Sequence, residues 1–310
     1  MNLQVYATKR TSIESLRTAE LMRHLVSMRN PEGSSPLFCV HPSGGDVGIY
    51  RKLATRLDPR RNILGIQSRL EYGATSEMSS LDEMASTYAE IIETRAPEGP
   101  VRLLGFSLGG FIASLIAEKL DQSGRNVSFL GLIDSNPGWI GQSSEELGVR
   151  LTQLFTKFQN IGVMRKKPIE TVRRDVKILI DTCFANEYTV CSTGIMAQTT
   201  AMGYVPDRQI DANALMKFTT TFMAHCRLLK NFQPPQVKCP LSLWWPSETE
   251  KQNAMGTDIW TQCAHSTVVE SAIEGSHFSI MRGSSVRVLA AEVESAMEKA
   301  DALSSSSSIG

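Results

Sequence analysis

Residues 101–120 read VRLLGFSLGGFIASLIAEKL and join a strand pattern directly to a helix pattern. The first six residues are an apolar run typical of a buried strand, and FIASLIAEKL is typical of a buried helix. Between them lies the G-x-S-x-G sequence Gly105-Phe106-Ser107-Leu108-Gly109,. Glycines two positions either side of Ser107 avoid a clash in a tight turn that aims the hydroxyl at the free N–H groups of the helix N-terminus. The stretch predicts a nucleophilic serine; the alternative is an ordinary turn in which Ser107 only caps the helix.

Further strand and helix patterns alternate on both sides of this stretch. Short apolar runs predict further buried strands, the last of them shortly before the final helix: Leu37–His41, Asn62–Gln67, Ser128–Ile133, Leu241–Trp245 and Thr267–Ile273,. Between them, the apolar spacing from Leu81 to Ile92 predicts a helix, with Ser80 and Glu83 as its capping box,. Alternating strands and helices predict an α/β fold, with a mostly parallel sheet covered by helices on both faces.

The alternation is interrupted by residues 138–236, which read as helices without a strand. Thr171–Phe184 and Ala212–Phe232 are the clearest helices, and Phe218 and Phe222 lie on one face of the second,. A block of this length is too long for a simple connection, so we expect a helical lid over the carboxyl edge of the sheet. A final helix near Ser285–Lys299 closes the domain.

The ends of the chain look different from its middle. Residues 11–29 have the pattern of a short amphipathic helix, and the Pro, Gly and Ser of 30–36 interrupt it, so residues 1–35 read as a leader or linker,. Residues 304–310 form a Ser-rich tail that we expect to be flexible,. The α/β domain is therefore expected to span residues 36–303.

Composition excludes several classes of protein. The chain has 32 Lys and Arg against 32 Asp and Glu among 310 residues, so it lacks the basic excess of a nucleic-acid-binding protein,. Its six cysteines form no C-x-x-C pair, are too sparse for a disulfide scaffold, and suggest no metal site,. No stretch of about 18 apolar residues and no signal-peptide pattern occurs. We therefore expect a cytoplasmic protein that binds neither nucleic acid nor membranes.

A serine nucleophile needs a base and an acid that orients it. Of five histidines, His277 alone follows the last predicted strand in a loop that would return over Ser107. Asp134 is the favoured acid because it ends the strand Ser128–Ile133, at the sheet edge where ligands bind. Glu248, Glu250 and Asp258, after the next strand, remain rival acids.

A second glycine-containing turn, His41-Pro42-Ser43-Gly44-Gly45, follows the first predicted strand. Its glycines would let a backbone N–H point into the site, as an oxyanion donor beside the N–H of Leu108. The alternative is an ordinary strand-to-helix loop. His41 itself is better explained as a packing residue than as a base.

Several of these motifs, in this order, resemble the thioesterase domains of nonribosomal peptide synthetases and polyketide synthases. They are PLFCVHPSGG (36–45), YRKLATRL (50–57), LLGFSLGG (103–110), LGLIDSNP (130–137) and GSHFSIMR (275–282). The resemblance covers about residues 22–300. It implies an α/β-hydrolase fold with a helical lid, Ser107 as nucleophile, Asp134 as acid, His277 as base, and the N–H groups of Ser43 and Leu108 as the oxyanion hole. Phe106 departs from the pattern, because many members have His there; we expect no consequence for proton transfer.

The same resemblance implies a substrate and a partner. The substrate would be an acyl or peptidyl chain held as a thioester on the phosphopantetheine arm of an acyl or peptidyl carrier protein, in cis or in trans. Release from an acyl-serine intermediate, by hydrolysis or macrocyclisation, would need no cofactor and would serve secondary-metabolite biosynthesis. The chain starts at Met and has no carrier motif, so it reads as a standalone protein or an excised terminal domain. Alternatives are a standalone editing thioesterase, a small-ester esterase or lipase, and a non-enzymatic binding protein of the same fold.

Overall fold

The computed structural model describes residues 14–30, 35–68, 80–137, 144–160, 166–185 and 232–306, with positions 221–222, 224–225 and 227–229 between the last two ranges. Its seven strands form one sheet: β1 Leu25–Arg29, β2 Pro36–Val40, β3 Asn62–Ile66, β4 Val101–Phe106, β5 Val127–Ile133, β6 Leu241–Pro246 and β7 Val268–Ile273. Their order across the sheet is β1-β3-β2-β4-β5-β6-β7. All neighbouring pairs are parallel except β1 and β3. The expectation of a mostly parallel sheet is confirmed.

The described helices are α1 (14–22), α2 Arg51–Ala54, α3 Leu81–Arg95, α4 Leu108–Gln122, α5 Ser144–Asn160, α6 Ile169–Ala185, α7 (the helical positions between 221 and 229), α8 Glu250–Cys263 and α9 Ser285–Ser306. Helix α3 begins as its sequence predicts, because the Ser80 side chain accepts a hydrogen bond from the Glu83 N–H at 3.1 Å,. Within the described residues, no helix is both long enough and apolar enough to cross a bilayer.

Two hydrophobic cores lie on opposite faces of the sheet. The alternation of β2 shows this, since Phe38 and Val40 enter the core that contains α3 and α4, while Leu37 and Cys39 enter the core that contains α9,. The central strands are buried on both faces, which explains why their sequences are continuously apolar,. The carboxyl ends of these parallel strands meet at one edge, where the predicted site residues lie.

Strand β1 differs from the sequence prediction. Residues 11–29 read as a helix in a leader segment, but the helical residues end at 22, and Leu25–Arg29 joins the sheet antiparallel to β3. The pairing satisfies backbone groups that an isolated β3 edge would leave open. Leu25 packs against one core, and Val26 and Met28 pack against the other. At least this part of residues 1–35 therefore belongs to the folded body.

Within the block 138–236, α5, α6 and the described positions of α7 are helical, whereas the described residues 166–168 and 232–236 have no regular secondary structure. Helix α6 contains the predicted helix Thr171–Phe184. The predicted helix Ala212–Phe232 is seen only at the positions of α7, and Phe218 lies outside the described residues. Phe232, just after α7, contacts Phe111 of α4 with ring centroids 4.9 Å apart, so this end of the block is anchored to the core.

Candidate active site

Ser107 occupies a sharp turn between β4 and α4. Its φ of 57° is unusual for a residue other than glycine and indicates local backbone strain, which in proteins is concentrated at functional sites,. A side chain on Gly105 would lie 2.2 Å from the backbone oxygen of Gly109, and one on Gly109 would lie 2.3 Å from the backbone oxygen of Val40. Both glycines are therefore required by close backbone packing. The Ser107 hydroxyl makes no capping hydrogen bond, which argues against the alternative of a simple helix cap.

Two buried hydroxyl groups, on Tyr50 and Ser135, hold the backbone of this turn by hydrogen bonds. Tyr50 donates its hydroxyl hydrogen to the Val40 carbonyl at 2.7 Å and accepts the Phe106 N–H at 2.6 Å. Ser135 donates to the Ser107 carbonyl at 2.7 Å. These contacts join the ends of β2, β4 and β5, so the position of Ser107 is fixed from three strands. Neither role was evident from the sequence, because each depends on residues that only the fold brings together.

His277 and Asp134 lie in hydrogen-bond contact although they are 143 positions apart. The His277 Nδ1 is 2.6 Å from Asp134 Oδ2. Asp134 follows β5 with a φ of 45°, is fully buried, and has its backbone N–H held by the Trp244 carbonyl of β6 at 2.8 Å. Since a carboxylate can only accept, this contact places the ring hydrogen on Nδ1 and leaves Nε2 able to take a proton.

The loop that carries His277 is tied to the end of β6. The Ser247 hydroxyl accepts the Gly275 N–H at 3.2 Å, and the Glu248 N–H donates to the Gly275 carbonyl at 3.1 Å. The His277 ring also stacks on Phe106, with centroids 4.8 Å apart and planes 25° apart. Phe106 immediately precedes Ser107, so the stack brings the imidazole beside the serine turn. The sequence predicted no consequence of Phe106 for proton transfer, and it contains no signal for this stacking contact.

The rival acids Glu248 and Asp258 and the histidines His41 and His265 are not part of this cluster. Glu248 and Asp258 are exposed, and the side chain of Glu250 is outside the described part of the structure. His265 contacts Gln236 at the surface. His41 is fully buried and contacts the Tyr88 hydroxyl, as expected of a packing residue.

The two expected oxyanion donors come from the same sheet edge. Leu108 is the first residue of α4 and is buried. Ser43 lies in the loop after β2, where its carbonyl accepts a hydrogen bond from His225 Nδ1 at 2.8 Å. The whole arrangement thus collects a strained serine, a histidine–carboxylate pair and two loop or helix-terminal amides at one edge of the sheet. Such a set can perform acyl transfer.

Known proteins share both the fold and parts of the sequence. Enterobactin synthase component F from Escherichia coli O157:H7 is 41% identical over 107 residues, which is 34% of this chain and only 8% of that protein. The four-domain nonribosomal peptide synthetase AB3403 superimposes with a TM-score of 0.67 at 22% identity, covering 88% of this chain and 20% of that one. The NocB thioesterase domain superimposes with a TM-score of 0.59 at 20% identity, covering 88% of this chain and 99% of that domain. These likenesses identify the α/β-hydrolase fold.

A family model described as the thioesterase domain matches residues 35–296, which is most of the chain. This match agrees with the order of motifs around Ser107, Asp134 and His277. The chain belongs to the thioesterase domain family.

Proposed function

We propose that this chain is a serine thioesterase that releases an acyl or peptidyl chain from the phosphopantetheine thioester of a carrier protein. The observation that carries the proposal is the 2.6 Å contact of His277 with Asp134, next to the strained turn of Ser107. Membership of the thioesterase domain family supports the hydrolase chemistry. Relatives of this family are multidomain synthetases, which favours a carrier domain or carrier protein as the partner.

The first half-reaction forms an acyl-enzyme. Ser107 Oγ attacks the thioester carbonyl carbon while His277 Nε2 takes the hydroxyl proton, and Asp134 stabilises the resulting imidazolium. The N–H groups of Ser43 and Leu108 donate to the tetrahedral oxyanion. When the intermediate collapses, the C–S bond breaks and His277 returns the proton to the leaving thiol. The phosphopantetheine arm arrives and leaves as part of the carrier, so no separate cofactor is needed.

The second half-reaction frees the product. His277 deprotonates a water molecule, which attacks the acyl-serine carbonyl carbon; the ester C–O bond to Ser107 then breaks, His277 returns the proton to Ser107 Oγ, and a free acid leaves. A hydroxyl or amine of the acyl chain attacking in place of water yields a macrolactone or macrolactam. The same chemistry would serve a terminal domain in the synthesis of a secondary metabolite or a standalone enzyme that clears stalled carriers. The NocB domain has been solved as a covalent complex with a fluorophosphonate nocardicin G analogue, so a fluorophosphonate is a suitable probe here.

The test follows products and covalent labelling together. The protein is incubated with acyl-carrier thioesters and with p-nitrophenyl esters, and mass spectrometry follows free acid, cyclised product and carrier thiol. We expect thioester turnover well above ester turnover, and one fluorophosphonate adduct on the peptide that contains Ser107. Ser107→Ala should abolish both, whereas Ser43→Ala should keep activity because the proposed donor is its backbone N–H. Faster ester turnover would favour a small-ester esterase, and labelling of another residue would overturn the nucleophile assignment.

A further inference from the structure

Two consecutive carbonyls in the loop after β2 are each held by a buried imidazole. His41 Nδ1 lies 2.9 Å from the Pro42 carbonyl oxygen, and His225 Nδ1 lies 2.8 Å from the Ser43 carbonyl oxygen. A carbonyl oxygen only accepts hydrogen bonds, so both Nδ1 atoms must carry hydrogen. The two rings are fully buried and stack with centroids 4.9 Å apart and planes 21° apart.

The other nitrogen of each ring also has a partner. The Tyr88 hydroxyl lies 2.8 Å from His41 Nε2, and the Ser68 hydroxyl lies 3.4 Å from His225 Nε2. A hydroxyl can donate to an unprotonated Nε2, so these contacts fit neutral imidazoles with one donor and one acceptor in use. Burial agrees with this assignment, because it lowers the pKa of His225 to about 4 and the pKa of His41 well below its usual value,.

These bonds orient the two peptide groups on either side of Ser43. A trans peptide is planar, and its C=O and N–H point in opposite directions. The Pro42 carbonyl accepts both His41 Nδ1–H and the Gly45 N–H at 2.8 Å, which fixes the direction of the Ser43 N–H. His225 fixes the next peptide group through the Ser43 carbonyl. Ser43 is thereby held from both sides.

His225 belongs to α7, and this helix packs closely against the loop after β2. Gly45 has a φ of +78°, and a side chain there would lie 2.8 Å from Cγ2 of Thr221 on α7. The contact of Phe232 with Phe111 places α7 against the core that contains α3 and α4. The geometry of the loop therefore depends on a helix from the block between β5 and β6.

We propose that His225 is a positioning residue for thioester cleavage. By donating Nδ1–H to the Ser43 carbonyl, it fixes the peptide group that follows Ser43; together with the contacts that fix the preceding peptide group at the Pro42 carbonyl, this holds Ser43 so that its N–H points at the developing oxyanion. This inference rests on the proposed function, in which Ser43 supplies one oxyanion donor. It assigns to α7 an indirect part in transition-state stabilisation, through Ser43, that neither the G-x-S-x-G motif nor the loop sequence shows.

The test compares three substitutions that differ in the hydrogen bond they keep. Asn places a donor near the position of Nδ1, Gln places one near Nε2, and Leu provides neither. Hydrolysis of an N-acetylcysteamine thioester gives kcat and KM, and inhibition by an alkyl boronic acid reports affinity for a tetrahedral adduct on Ser107. We expect His225→Leu to lower kcat about 10- to 100-fold with little change in KM, and to weaken boronate inhibition by a similar factor. His225→Asn should restore most of both effects, and His225→Gln should not.

The outcomes separate this inference from the proposed function. Wild-type kcat in His225→Leu, or equal activity in the Asn and Gln variants, would overturn the role of His225. If the Leu variant does not fold, the comparison of Asn with Gln decides alone. If Ser107→Ala keeps full thioester turnover, the proposed function itself fails, whatever the His225 variants do.

Discussion

At the residue scale, the acid is the assignment with named rivals in the sequence. Replacing Asp134 with Asn keeps the shape of the side chain but removes its negative charge. His277 Nδ1 then faces either an NH2 donor or an uncharged carbonyl oxygen, which disfavours the tautomer that carries hydrogen on Nδ1. We expect kcat to fall by about 10⁴-fold, with the unfolding midpoint little changed. Steady-state turnover of an acyl thioester measures this.

The matched control for Asp134 is Glu248. Glu248 follows β6, where the rival acid would lie, but its side chain is exposed. Glu248→Gln should therefore keep near wild-type kcat. If Glu248→Gln were inactive and Asp134→Asn active, the acid would be the residue that follows β6, and not Asp134.

Protonation of the buried histidines links stability to pH. The pKa of His225 is lowered from 6.5 to about 4 by burial, so the unfolded chain binds a proton more readily than the folded one between these values. The stabilisation is complete above about pH 6.5 and is lost as pH falls towards 4, by about 3 kcal/mol in all. His41 stacks on His225, and Tyr88 and His24 are the next ionisable groups beyond it; the lowered pKa of His41 adds to the same trend.

Urea unfolding at several pH values checks this expectation. Wild-type unfolding free energy should decline between pH 6.5 and 4, and His225→Asn should flatten the decline, though not fully because His41 remains. A wild-type free energy that rises on acidification through this range would contradict the burial of both neutral rings.

The placement of the candidate site residues was predictable to the extent that it depends on local sequence. Ser107, Asp134 and His277 stand at motif positions or strand ends, and chain order alone suggests how they combine. Tyr50, Phe106 and His225 act through contacts across strands and helices. A single sequence contains no signal for such pairs, because burial and proximity arise only when the sheet edge assembles.

At the element scale, strands buried on both faces were predictable because their apolar runs are continuous. Strand β1 was not, since its residues are only partly buried and its pairing partner β3 is distant in sequence,. The helical block also proved to have two parts. Leu151, Phe155, Val172 and Val176 of α5 and α6 are buried but lie outside both cores of the described structure, whereas the end of α7 packs on the first core.

This division predicts unequal local stability within the block. Helices α5 and α6 should open more readily than β4, because few of their contacts reach the main cores. We expect their amides to exchange hydrogen faster than those of Val101–Phe106, and to slow when an acyl fluorophosphonate occupies Ser107, as for a lid over the site. Hydrogen-exchange mass spectrometry with and without the probe measures both effects. Equal protection in α5, α6 and β4, unaffected by the probe, would identify a rigid part of the core.

At the scale of the whole molecule, a charge network joins elements from both ends of the chain. Asp301 near the end of α9 pairs with Arg102 of β4 and with Arg61 before β3, and Arg61 also pairs with Glu294. Arg29 of β1 joins this region by donating to the carbonyl of Asp58 at 2.6 Å. The family match, residues 35–296, includes neither Arg29 nor Asp301. The folded body of this chain is therefore larger than the family domain.

A chain trimmed to residues 35–296 should be markedly less stable than one trimmed to residues 14–306. The shorter chain loses β1, exposes the edge of β3, and leaves the mostly buried Arg102 guanidinium without its carboxylate. For this partly buried pair the last effect alone costs about 1–3 kcal/mol, because a charged donor loses its partner,. Asp301→Ala in the full chain isolates the second effect, and Glu298→Ala, at an exposed position on the same helix, is its control. We expect urea unfolding to give similar, highest free energies of unfolding for the full chain, the 14–306 chain and Glu298→Ala. Asp301→Ala should have a lower value, and the 35–296 chain the lowest. Equal stability of the 35–296 and 14–306 chains would mean that β1 and the end of α9 are attached to the fold without supporting it.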